Sequence, residues 1–169
     1  MSTPTVPPAV QLFDNGLTDL VSILPPNAPL QNGSRIPHQS LGKAPGRRLE
    51  SGVWVGYDWR RNTPTRAEVV GWASWNANIG LRTTRYPAID VDCLDEELAR
   101  TIENEARRFL GDAPVRTGLA PKRLLLYSAA VPFKKVTLTF TRDGVKHAVE
   151  VLGDGQQCVV YGIHPKSMR

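Results

Sequence analysis

The stretch PAIDVDCLDEELARTIENEARRFLG, residues 87–111, decides the fold class. Its first part sets apolar Ala88, Ile89 and Val91 among two aspartates, which reads as a buried strand with Asp90 and Asp92 projecting from one face. The period then changes. Leu94, Leu98, Ile102, Ala106 and Phe109 recur at helical spacing, and Gly111 stops the pattern. Glu96, Glu97, Arg100, Glu103, Glu105, Arg107 and Arg108 fall on what should be the wet face of that helix.

Toward the C-terminus the period is that of strands: RLLLY (123–127), KVTLTF (135–140), HAVEVL (147–152) and QCVVYG (157–162). The connections RDGV and GDGQ are turn signals, so the last three strands are expected to form an antiparallel meander. Toward the N-terminus, residues 1–65 hold nine of the fourteen prolines and should be rich in loops. Within them Val10 to Leu24 predicts a short helix ended by Pro25, and 31–50 predicts an exposed basic loop. Thr63 to Ala73 predicts a second short helix, with Thr63 as cap and Pro64 in its first turn. The class is α+β, with helices packed on a mostly antiparallel sheet.

Composition narrows the function. At 169 residues, 41% hydrophobic and 22% charged, the chain can bury a core and is not a disordered tail. No apolar run approaches the roughly 20 residues of a membrane span, and the first residues lack the charged start and apolar stretch of a signal peptide. A cytoplasmic protein is expected. Cys93 and Cys158 stand alone in sequence, which argues for core thiols and against a disulfide framework or a zinc site. The net charge of +5 permits a polyanionic partner. Its distribution is uneven: residues 90–112 carry eight acids and three arginines, so the rest of the chain holds +10.

Asp90 and Asp92, two apart on a strand, repel each other unless a cation sits between them or one is protonated. Carboxylate oxygens of this kind suit Mg²⁺ or Mn²⁺, though a pair of acids at a strand end can equally cap the next helix. Glu150 shares a face of its strand with Ala148 and Leu152 and needs a partner there, unless that strand is a solvated edge. Asp90, Asp92 and Glu150 together would form a three-carboxylate set able to hold two divalent ions, activating a 3′-hydroxyl and steadying a leaving pyrophosphate. Arg116, Lys122 and Arg123 flank a Gly and a Pro ahead of an apolar strand, where they could meet a triphosphate or be ordinary surface charge. His164 follows the last strand in a Gly-x-His-Pro turn. Zinc-protease, serine-hydrolase, P-loop and Rossmann motifs are absent.

In order, GKAPG (42–46), Trp54, Trp72, NIGLRT (78–83), AIDVD (88–92), RTGLAPKRLLLY (116–127), FKKV (133–136) and VEVLGDGQQCVVYGIHP (149–165) resemble the primase–polymerase catalytic domain of the archaeo-eukaryotic primase superfamily, in its phage and plasmid replication form. The resemblance implies a single catalytic domain over 1–169, with a loop-rich N-terminal αβ lobe (1–85) and an RRM-like catalytic lobe (86–169). It implies a DNA polymerase or primase that binds Mg²⁺ or Mn²⁺ as two ions through Asp90, Asp92 and Glu150, without zinc. Arg116, Lys122, His164 and Arg82 fall in blocks that contact the nucleotide, and Lys43, Arg123, Lys134 and Lys135 are expected to meet the template. The family's second motif commonly has Ser-x-His, and here Lys122 stands at or near that His. Implied partners are DNA template and primer, dNTP or NTP, and a helicase in the same or a separate chain, with no membrane. Relatives often continue past the His-Pro turn, whereas this chain ends at KSMR. Three rival readings stand beside it. A nucleotidyltransferase of the polymerase-beta type would need a Gly-Ser turn upstream of the acids, which NIGLRTTRYP lacks, a metal-dependent nuclease would shorten DNA, and a non-catalytic single-strand-binding module would need exposed aromatics, of which the C-terminal strands offer only Tyr127, Phe140 and Tyr161.

Overall fold

The computed structural model describes residues 6–165. In chain order the elements are α1 (Pro8–Asp14), β1 (Leu20–Ile23), β2 (Arg47–Arg48), β3 (Trp54–Val55), α2 (Arg66–Ser74), β4 (Asn78–Arg82), β5 (Ala88–Asp92), α3 (Glu96–Leu110), β6 (Val115–Arg116), β7 (Arg123–Leu126), β8 (Val136–Arg142), β9 (Val145–Leu152) and β10 (Gln157–Tyr161). The class is α+β, as the alternation of periods predicts.

The chain divides into two compact units, residues 82–158 and the remainder on either side. The chain leaves the first unit at Arg82 and re-enters it at Val159.

The 82–158 unit contains a five-stranded sheet in the order β6-β7-β5-β9-β8, with all four pairings antiparallel. Ile89, Val91 and Cys93 alternate onto one face and pack with Leu125, Val149 and Val151 under Leu98, Ala99, Ile102 and Ala106 of α3. That face is the core, and the period of two sends Asp90, Asp92 and Glu150 to the other. Asp95 caps α3: its Oδ1 accepts from the Leu98 N–H at 2.8 Å, which holds its carboxyl below the usual range. The helix therefore starts at Glu96, and Leu94 lies outside it, 59% exposed. Phe109 departs from the expected apolar stripe. It is 72% exposed and lies beneath the Arg108 guanidinium, 4.3 Å from the ring centroid.

The turn after β8 follows its sequence signal. Asp143 and Gly144 both take positive φ, 51° and 75°, the pair that a tight hairpin requires. The next turn corrects the expected meander, because β10 joins the sheet β1-β4-β10 and not β9. Thr83 explains this locally: its N–H donates to the Gln156 carbonyl and its hydroxyl donates to the Gly153 carbonyl at 2.6 Å, tying the GDGQ segment to the end of β4.

In the other unit, the helix expected over Val10–Leu24 is only α1, and Leu20–Ile23 is a fully buried strand paired antiparallel with β4. Gly16, at φ 93°, breaks the helix, and a four-residue strand buried on both faces has no alternation to distinguish it from a helix. The expected basic loop at 31–50 contains a single 3₁₀ turn, His38–Ser40, and ends in the β2-β3 hairpin. Helix α2 starts two residues later than expected. Thr65, not Thr63, is the cap, because only Thr65 has a glutamate three residues on: Glu68 N–H donates to the Thr65 hydroxyl and the Glu68 carboxylate accepts from Thr65 N–H at 2.7 Å. Leu24, Ala28, Leu41 and Trp54 form a core here, with Trp75 packed against it.

Candidate active site

Register builds the site across the sheet of the 82–158 unit. On the face opposite α3, Arg116 of β6, Leu124 of β7, Asp90 of β5, Glu150 of β9 and Thr137 of β8 are consecutive cross-strand partners in one row. Directly opposed residues of an antiparallel pair have Cα atoms about 5 Å apart, so Asp90 and Glu150 are neighbours although sixty residues separate them in sequence. Asp92 stands on the same face one pleat further, roughly 7 Å along β5. Strand β9 is interior, between β5 and β8, so Glu150 is not an edge carboxylate. Nor is the Asp90–Asp92 pair the cap of α3, a role that belongs to Asp95.

Two lysines neutralise this row. Lys122 Nζ pairs with Asp92 Oδ1, and Lys135 Nζ pairs with Glu150 Oε1 at 2.7 Å, where the Thr137 hydroxyl also donates at 3.3 Å. Asp92 keeps half of its side chain exposed, whereas the Glu150 and Lys122 side chains are less than one-third exposed. Arg116 is half-buried; burial lowers its pKa, against the raising influence of Cys158 and Asp90. Gly118 makes room for it, since a β-carbon there would come within 2.9 Å of Nη1. Burial, and after it the Asp90 charge, pushes the Cys158 thiol up to about 12. Cys158 and Cys93 are both buried thiols outside any disulfide, the core role expected of them.

A divalent cation can be tested against these residues. Three carboxylates on one face, two of them already holding a cationic ammonium, are hard oxygen donors of the kind Mg²⁺ and Mn²⁺ take. The donor chemistry and the register fit. Among the described residues, however, no three metal-ligating side chains are drawn into one cluster; Asp92 and Glu150 are each paired with a lysine.

The remaining expected residues separate. Arg123 lies opposite Val91, on the helix face, and its guanidinium pairs with Glu96 and, at 2.6 Å, with Glu103. In this structure it clamps α3 to β7, and Glu96 and Glu103 are its counter-charges and not a purely wet face. Lys135 likewise serves Glu150. Lys134 is 91% exposed, 3.9 Å from Asp154. Arg82 ends β4 within the 82–158 unit. His164 and exposed Lys43 belong to the other unit, where Asn78 organises their surroundings. Its amide donates to the Gly42 carbonyl at 3.1 Å and to the Ile163 carbonyl at 2.9 Å, and its Oδ1 accepts from the Ile163 N–H at 2.9 Å. One buried amide thus joins the loop carrying Lys43 to the turn carrying His164. Sequence reasoning passed over Asn78; the polar residue opening the apolar run NIGL was the signal.

The site is a carboxylate row with basic neighbours on an antiparallel sheet, and comparison with protein families gives the chain's membership. The family described as bifunctional DNA primase/polymerase, N-terminal, matches residues 25–168, and the chain belongs to it. Membership implies a primase/polymerase of the nucleotidyltransferase type. No curated protein matches the chain.

Proposed function

We propose that the Asp90–Glu150 face carries template-directed joining of nucleoside triphosphates to a 3′-hydroxyl, in DNA replication of the phage or plasmid kind. The observation that carries this reading is the row Arg116, Asp90, Glu150, with Lys122 on Asp92: acids for cations and bases for phosphates, side by side on one strand ladder. Asp90, Asp92 and Glu150 would hold Mg²⁺ or Mn²⁺, which when bound lowers the pKa of the hydroxyl and neutralises the leaving pyrophosphate.

The chain's own residues supply the rest. Asp90 and Glu150 orient the attacking end by fixing negative oxygens on a rigid ladder, so little reorganisation is needed at reaction. Lys122 and Lys135, now bound to carboxylates that would be shared, can turn their ammonium groups toward the triphosphate while remaining anchored beside it. Arg116 offers a partly desolvated, weakly hydrated fork suited to a phosphate oxygen pair. Exposed Lys43 and Lys134 would meet the nucleic acid backbone and make binding weaken with salt.

The test is incubation of the full chain with primed and unprimed templates, each with Mg²⁺ or Mn²⁺ and with dNTP or NTP. The reading expects lengthened or newly made strands. Shortened strands would make the site a nuclease, and unchanged strands in every lane would remove the catalytic reading.

A further inference from the structure

A cleft of about 370 Å³ opens between β2, α2 and the loop after β3, and none of its lining residues belongs to the 82–158 unit. Its size suits one flat ring system with a small appendage, and excludes a duplex or a folded partner. Tyr57 and Trp75, both half-buried, line it. Trp75 is fixed edge-on against buried Trp54, ring centroids 6.0 Å apart and planes at 88°. A ring held in this way loses little freedom when another ring stacks on it.

The charged part of the lining comes from β2. Arg47 and Arg48 are exposed, and neither is in an ion pair among the described residues. Gly52, at φ 89°, gives the Arg48 guanidinium its place over the hairpin turn, since a β-carbon there would come within 3.2 Å of Nη2. Of the two glutamates in the lining, Glu68 has its carboxylate committed to the Thr65 cap. Glu50 and Asn62 leave a carboxylate and an amide for the edge of a ring bearing amino and carbonyl groups. Ser22 lines the cleft too, 2% exposed, with its Oγ lacking a hydrogen-bond partner among the described residues. An unpaired buried hydroxyl in a cleft lining calls for a ligand or water partner. The surrounding segment, residues 43–66, has six basic residues against two acidic ones, interleaved with Trp54, Tyr57 and Trp59.

We propose that this cleft is a docking site for one nucleotide of a single-stranded nucleic acid: the base stacks on Tyr57 and Trp75, and Arg47 and Arg48 hold its phosphate. Aromatic faces beside a cationic rim are how single strands are bound without sequence preference. Duplex bases are already stacked and cannot enter. The assignment extends the primase/polymerase reading to its template, yet it rests on residues of the other unit, so either can fail without the other.

The experiment is fluorescence anisotropy of a labelled oligothymidylate with the full chain in EDTA, which keeps divalent cations out of the measurement. Arg47→Glu combined with Arg48→Glu, two exposed positions, should weaken binding at least roughly tenfold and lower the salt slope by about one to two. Trp75→Ala should weaken it roughly five- to a hundredfold. Because the assay excludes divalent cations, its outcome is read independently of the primer-extension test. Unlabelled single strand should compete, and duplex and dTMP should compete far less. Arginine variants that keep the wild-type circular dichroism spectrum and bind like wild type would overturn the proposal, even if Trp75→Ala fails to fold. Equal competition by duplex would overturn it as well, and equal competition by dTMP would make the cleft a free-nucleotide site.

Discussion

Replacing Arg123 by methionine keeps the packing of its stem and removes its charge, and the consequences can be worked from the structure. The guanidinium donates to Glu103 at 2.6 Å, to Glu96, and to the Pro121 carbonyl at 3.2 Å. Arg123 and Glu103 side chains are each 15% exposed, and Glu96 is 60% exposed. A hydrogen bond to a charged group shielded from water is worth about 1.5–3 kcal/mol, whereas a solvated pair adds about 0–1 kcal/mol. Glu103 retains Arg107 at 3.0 Å, which limits the loss. The expected cost at neutral pH is therefore about 2–3 kcal/mol, read by urea unfolding.

The pH dependence gives a second readout of the same change. The Arg123 hydrogen bond holds the Glu103 carboxyl below its ordinary value. A depressed carboxyl contributes stability that is present above the unfolded pKa and is lost as pH falls through the folded one. The gap between wild type and Arg123→Met should thus be widest near neutrality and close in acid. Single-strand affinity should not change. Equal stability of the two proteins, or a loss of nucleic acid binding in a variant as stable as wild type, would refute the clamp and return Arg123 to the template.

Lys135→Met removes the counter-charge of Glu150 and should tighten Mn²⁺ binding by roughly three- to tenfold, about 0.7–1.4 kcal/mol, as read by calorimetry. Cys158, its thiol pushed up to about 12, should be inert to a disulfide reagent at pH 8 in the folded protein and react only on unfolding. Gly162→Ala would set a β-carbon 2.1 Å from Asn78 Oδ1 at a backbone φ of 127°, so it should break the clamp on the His164 turn and lower the unfolding midpoint, with a cost of about 2 kcal/mol or more.

Periodicity revealed most of the sheet and the helix on it, because strands β5, β7, β8 and β9 alternate or run apolar and α3 carries a clear stripe. It misread Leu20–Ile23, where burial on both faces erases the alternation that tells strand from helix. It also placed β10 beside β9, since a turn signal tells that the chain reverses but not which sheet the next strand joins. The carboxylate row was legible for the same reason as the sheet: Asp90, Asp92 and Glu150 each break an apolar pattern at the period of two. What each basic residue serves was not legible. Arg123 and Lys122 are adjacent in sequence, yet the strand sends one to the α3 glutamates and the other to Asp92. Asn78 and the Tyr57–Trp75 cleft depend on contacts between distant segments, which no local pattern encodes.

The central claim is that the Asp90–Glu150 face joins nucleotides. Primer extension by Asp90→Asn and by Glu150→Gln, at saturating Mn²⁺ and dNTP and with folding checked by circular dichroism, tests it most directly. Each variant should still bind single-stranded DNA but extend a primer roughly a thousandfold more slowly, a loss of about 4 kcal/mol in transition-state stabilisation. Extension by both variants at the wild-type rate would contradict it.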